Sequence, residues 1–197
     1  MATIQPLAGG AVRQRPRSIL AREAALLVAA SVFLALTARI SVPLPFSPVP
    51  ISGQTLGVML IGALYGPRRG TLAVALSIVE GAAGLPVFAA GRSGIAVLLG
   101  PTGGYIAGFL PAAAVAGLLC GSARPVAVRF AGALLAGLAV YLCGVPWLMA
   151  VTAMPLGPAV VQGLLPFLPG DALKAAVVAG VVPAGATLLA RWGVRPF

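Results

Sequence analysis

REAALLVAASVFLALTARISV (22–42) decides the fold. Past its first two residues it carries one charge, Arg39, and it is long enough to cross a hydrocarbon core as a helix. The rest of the chain has the same character. Of its 197 residues 60% are hydrophobic and 8% charged, and mean hydropathy is +1.07. A soluble domain carries roughly a quarter charged residues. So few polar groups cannot cover a surface in water, and lipid is the expected solvent.

In hydrocarbon, backbone polar groups must be satisfied within the segment, so the apolar runs are read as helices. The first is placed at 22–42, as a retained helix rather than a cleaved leader. PLPFSPVP (43–50) follows, and its four prolines cannot continue a helix. A short second span is expected over 52–65, then a tight turn at GPRR (66–69), then a third span over 70–83. Glycine and proline interrupt the pattern at 84–94. The fourth span is placed at 102–120, a basic loop at 122–129, and the fifth span at 130–152. MPLGPAVVQGLLPFLPG (154–170) is a second interrupted region with room for a short helix, and the last span runs over 171–191. The expected fold is an all-α membrane bundle of six transmembrane helices. Residues 1–18 are expected to form a disordered basic cytoplasmic tail, and 19–197 a single six-helix transmembrane domain.

The net charge of +10 suggests nucleic acid only if the cations cluster, and they do not. They recur between apolar runs. With six spans, Arg13, Arg15, Arg17, Arg22, Arg68, Arg69, Arg124, Arg129, Arg191 and Arg195 fall on one side. Cytoplasmic loops are enriched in arginine and lysine, so this side, with both termini, is assigned to the cytoplasm. Arg39, Arg92, Lys174 and Asp171 are left at the opposite face, in or beside glycine- and proline-rich segments. Ionisable groups at membrane depth mark functional sites. Three cations and one anion at an outward-facing pocket would suit a ligand with a carboxylate.

Each of these residues has a plain structural reading beside the functional one. Asp171 and Lys174, at i and i+3, share a helix face. Asp171 also fits an N-cap after Pro169-Gly170, whereas Lys174 in a first turn opposes the helix dipole and calls for a compensating anion. Arg92 is either a solvated loop residue or a carboxylate clamp. Arg39 is read as snorkelling to the interface. Gly104 and Gly108 form a GxxxG pair that suits close helix packing, or exposed backbone donors beside Tyr105. Ala21, Ala25 and Ala29 form a stripe of small residues, for packing within the chain or for docking another membrane subunit.

Enzymatic readings fail on residue inventory. GRSG (91–94) looks like an intramembrane serine protease motif, but the chain has no histidine to act as base. Asp171 is the only aspartate, and aspartyl chemistry needs two. No Walker A pattern is present, so any ATP is handled by a partner. Cys120 and Cys143, with no histidine, offer no usual metal site.

Five segments together resemble the BioY biotin transporter family: PLPFSPVPISGQTLGVMLIGALYGPRRG (43–70), GAAGLPVFAAG (81–91), AVLLGPTGGYIAGF (96–109), GVPWL (144–148) and LPFLPGDALKA (165–175). The match is colinear from about residue 20 to 190. The resemblance implies a substrate-binding S component of an energy-coupling factor transporter, working in the bacterial cytoplasmic membrane. It implies six helices, an extracellular pocket walled by the loop between spans three and four, and biotin as ligand with no cofactor. Implied partners are a transmembrane coupling subunit, docking on Ala21, Ala25 and Ala29, and two cytoplasmic ABC-type ATPases. Asp171 and Lys174 match the family's polar pocket pair, Gly103, Gly104 and Tyr105 its span-four motif, and Gln54 the glutamine after the proline loop. Phe88 is expected to pack on the biotin bicycle, and Lys174 or Arg92 to pair with its carboxylate. The family often has tyrosine where Ser77 stands, with Glu80 close by. An S component for another small vitamin and a solitary biotin transporter are the alternatives.

Overall fold

The computed structural model describes residues 16–191. The first helix, α1, spans Pro16–Arg39. It therefore begins inside the expected tail, of which residues 1–15 lie outside the described residues. It also stops before Val42. Its inner face is Ala30, Leu34 and Ala38, one turn apart and buried, while Val32 and Leu36 are exposed.

The proline-rich segment is an antiparallel hairpin, β1 (Ser41–Leu44) and β2 (Ser47–Ser52), with Val42 opposite Ile51. Proline ends a helix but is tolerated in edge strands, and both strands of a two-stranded hairpin are edges. The expected loop is thus a paired hairpin.

Helix α2 covers Gln54–Ala82 but contains Gly66 at φ 81°, ψ 171°, followed by Pro67. Residues eight apart on a continuous helix lie about 12 Å from each other. A Cβ on Gly70 would nevertheless fall 2.7 Å from the Cα of Gly62. The chain therefore reverses at Gly66, as the GPRR reading expected, and the two halves of α2 pack through glycines.

A short helix α3 (Ile95–Leu99) leads into α4 (Gly103–Leu119), which packs between α2 and α5 (Val126–Thr152). Small residues set the approach. A side chain on Gly108 would fall 2.8 Å from the Cα of Val140, and one on Gly104 would fall 2.7 Å from the Cys143 carbonyl oxygen. The second interrupted region holds helix α6 (Leu156–Gly163) and a 3-10 turn at Leu165–Phe167, and α7 runs from Leu168 to Arg191. Leu20–Arg39, Val126–Thr152 and Leu156–Arg191 are apolar and long enough to cross a membrane. Leu142 (68% exposed) and Leu36 (64%) belong to an apolar outer surface suited to lipid.

Arg129 departs from its reading as a loop cation. It lies in the first turns of α5 with only 8% of its surface exposed. Its Nε donates to the Ala179 carbonyl at 2.8 Å, and Nη1 donates to the carbonyls of Ser122 and Arg124. The Ala179 carbonyl needs that donor because its helical partner would be residue 183, a proline without an N–H. Gln162 is a related case. It lies in the last turn of α6, where carbonyls have no partner within the helix, and Ser47 Oγ of the hairpin donates to its carbonyl at 2.8 Å.

Replacing Arg129 with Met should cost about 1–3 kcal/mol through the stranded carbonyl. Pro183→Ala supplies the missing N–H, so R129M/P183A should melt higher in detergent than R129M alone. Additive effects of the two changes would show that they are uncoupled.

Candidate functional site

At the end of the bundle opposite the Gly66 reversal, a cleft opens between the hairpin, the 84–94 loop and helices α2, α4, α5 and α7. Its empty space, including the open mouth, is about 650 Å³. The walls are mainly apolar, with Val49, Phe88, Val97, Phe109, Val140 and Phe167 among them.

One polar cluster stands in this apolar setting. Lys174 Nζ lies 3.2 Å from Asp171 Oδ1 and donates to Thr55 Oγ1 at 2.7 Å. The Tyr141 hydroxyl donates to Asp171 Oδ2. Asp171 is 7% exposed. Because α7 begins at Leu168, Asp171 lies inside the first turn rather than at the N-cap. Its charge suits that end of the helix dipole, and it compensates the ammonium of Lys174, which does not. Each carboxylate oxygen has about two acceptor sites, so the pair holds Asp171 in place and leaves acceptor capacity for a ligand.

Three aromatic rings shape the wall beside it. Tyr105 and Tyr141 meet edge to face at 6.3 Å between centroids, and Tyr141 lies 6.5 Å from Phe167. Tyr105 is held by a 2.8 Å bond from its hydroxyl to the Gly163 carbonyl. It fits because position 144 is glycine, where a Cβ would fall 2.5 Å from Tyr105 Cδ1.

The 84–94 loop supplies the remaining wall. Phe88 is 1% exposed and its ring lies against Gly81, where a Cβ would sit 2.5 Å from ring atom Cε1. Gln54 Nε2 donates to the Val87 carbonyl at 3.3 Å. Arg39, although exposed, does more than snorkel. Its Nη2 donates to the Pro86 carbonyl at 3.3 Å, and its guanidinium packs on Gly91. Ala90, at φ 57°, and Gly91, at φ 72°, adopt left-handed backbone that turns the loop back over the cleft. Arg92 lies exposed at the mouth, its Nε 3.4 Å from the Ala89 carbonyl.

Of the residues singled out in the sequence, Asp171, Lys174, Arg92, Tyr105, Phe88 and Gln54 line one cleft. Gly103 and Gly104 do not. A side chain on Gly103 would run into the Leu98 carbonyl of α3, and one on Gly104 would meet the Cys143 carbonyl of α5, so each is packed against a neighbouring helix. Ala21, Ala25 and Ala29 lie on the outer face of α1, exposed and unused for packing within the chain. Glu80 accepts a hydrogen bond from the buried Ser31, which accounts for the acid by an inward bond between α1 and α2. Sequence reasoning missed Tyr141 and Thr55. Tyr141 had a signal, as a lone tyrosine hydroxyl within the apolar 130–152 span. Thr55 had none, since only the fold brings it to Lys174.

Fold and surface define a multi-pass integral membrane protein. The sequence model of the BioY family matches residues 11–191, and the chain belongs to that family. It is 43% identical over 154 residues to the biotin transporter BioY of Rhodobacter capsulatus, covering 72% of this chain and 80% of that one. It is 40% identical to the probable biotin transporter BioY of Pyrococcus horikoshii, over 74% and 86% of the two chains. Its fold is similar to a crystal structure of the S-component for biotin from an ECF-type ABC transporter, with a TM-score of 0.76 and 27% identity, covering 86% and 93%.

Gly81→Ala should displace Phe88, lower the melting temperature and weaken ligand binding. Gly121→Ala is the control, because its added Cβ meets nothing within 4 Å. Equal behaviour of the two variants would remove the Phe88–Gly81 contact from the construction of the site.

Proposed function

We propose that this protein captures biotin in the cleft, as the substrate-binding S component of an energy-coupling factor transporter in the cytoplasmic membrane. The observation that carries this reading is the joining, in one apolar cleft, of the Asp171–Lys174–Tyr141 cluster and the exposed Arg92. Biotin is a compact bicycle with two ureido N–H donors at one end and a carboxylate at the other. Its sulfur-containing ring suits a wall of Phe88, Phe109 and Phe167. Asp171 accepts from the ureido N–H groups, and Tyr141 and Lys174 hold it in position. Lys174 is already engaged with Asp171 and Thr55. Arg92 is exposed and lightly held, so it is the better partner for the carboxylate, which it can take with paired donors.

The topology in this reading has six spans, with the two halves of α2 as the second and third and both termini in the cytoplasm. The end of the bundle with Arg68, Arg69 and Arg124 faces the cytoplasm, and the cleft opens outward. Arg69 is paired there with Glu23 at 2.6 Å, which ties α1 to the reversal. The exposed alanines of α1 offer a smooth face to a transmembrane coupling subunit, with partner ATPases supplying the energy. The catalytic work stays with those partners, and the relatives named above are transporters.

Asp171→Asn should weaken biotin binding by roughly 10- to 100-fold, the value of a hydrogen bond to a charged group. Native affinity in a folded variant would exclude Asp171 from the site. Arg92→Ala should weaken binding of biotin more than that of biotin methyl ester, since the ester keeps a carbonyl acceptor but only the free acid has a charge for Arg92 to pair. Equal loss for both ligands would assign the carboxylate elsewhere. In a background lacking Cys120 and Cys143, cysteines at Arg68 and Arg124 should label only from the cytoplasm, and one at Ile95 only from outside. The reverse pattern would overturn the orientation.

A further inference from the structure

A second cleft abuts the first. Pro43, Leu44 and Pro48 of the hairpin and Ala90 of the loop form its walls, and it shares Pro50 and Arg92 with the main cleft. Arg92 therefore marks a boundary with space on both sides. Its one side-chain hydrogen bond among the described residues, from Nε to the Ala89 carbonyl, is long at 3.4 Å and leaves the terminal nitrogens of the guanidinium free to face either cleft. The far side is apolar, built of proline rings and a leucine. A receptor that accepted only the free acid would be expected to block that side with bulk or with a further charge. Here it is open and suited to a chain of methylenes. Ser41 is part of the same wall. Its Oγ is the buried side-chain oxygen that lacks a hydrogen-bond partner among the described residues, so the hairpin edge has an unmade bond beside this space.

We infer that the second cleft takes whatever is attached to the carboxyl carbon of the bound ligand, so that amides of biotin with an alkyl amine are ligands alongside the free acid. The inference rests on the biotin reading of the main cleft. An amide at the carboxyl carbon keeps its carbonyl oxygen as an acceptor for Arg92 and loses only the charge. The attached alkyl chain lies along Pro43, Leu44 and Pro48. The matching chemical class is biotin joined to a lysine side chain, the fragment left when biotin-carrying proteins are proteolysed.

The test is binding of biotin and of Nε-biotinyl-lysine to the purified full chain and to Leu44→Trp and Pro48→Phe, which fill the second cleft without touching the first. The expected result is that the unaltered protein binds both ligands. Each variant then weakens biotinyl-lysine by roughly tenfold or more while biotin changes by less than about threefold, as for a pocket made too small for one substituent. Retained biotin binding shows that the variants are folded. The inference is overturned if the unaltered protein binds biotin but not biotinyl-lysine. It is also overturned if both variants bind biotinyl-lysine normally, or lose the two ligands in parallel. Failure of the unaltered protein to bind either ligand would instead remove the biotin reading itself.

Discussion

Every structural choice in this protein answers to one constraint. A backbone carbonyl or N–H left without a partner in hydrocarbon costs several kcal/mol, and no water is present to relieve it. The chain nevertheless carries 18 prolines, several of them inside helices. Each one removes a donor. For Pro183 the replacement comes from elsewhere in the sequence, with Arg129 donating to the Ala179 carbonyl, and Ser47 likewise serves the Gln162 carbonyl at the end of α6. These bonds do more than repair helices. The first joins the start of α5 to α7, and the second seats the hairpin on α6 beside the cleft.

The same constraint explains where irregular backbone is found. The hairpin, the 84–94 loop and the 3-10 turn at 165–167 gather at one end of the bundle, around a cavity. Non-helical backbone at membrane depth is tolerated where protein buries it or a polar space adjoins it. The candidate site is therefore built where the helices are interrupted. Glycine allows the walls to close. Gly81 admits the ring of Phe88, and Gly144 admits Tyr105, so the aromatic lining of the cleft depends on positions that never touch a ligand.

The polar cluster follows a related logic. A lone lysine in the first turns of α7 would be unfavourable, and a lone aspartate in an apolar wall would be costly to ionise. Together, with Tyr141 and Thr55, they satisfy one another while keeping acceptor capacity in reserve. Side chains already held by one another in this way lower the ordering cost of binding.

Much of this could be read from the residues alone. Hydropathy marked the helices, because the choice between lipid and water is made segment by segment. The reversal at GPRR was legible because glycine followed by proline is a local signal. Asp171, Lys174 and Arg92 stood out because charges are rare in such a chain. Contacts between distant segments were not legible. The hairpin looked like a loop, since strand pairing depends on a partner strand. Arg129 looked like a surface cation, since only the Ala179 carbonyl that Pro183 leaves without a helical donor shows what it is needed for. Gly103 and Gly104 could have faced a ligand or a helix, and the packing of α4 against α3 and α5 turned them to their helical neighbours. Sequence alone therefore determined the solvent of each segment and the short list of chemically active groups. Which of those groups share a cleft, and which only hold its walls, was decided by tertiary packing, because close approach between helices depends on both surfaces at once.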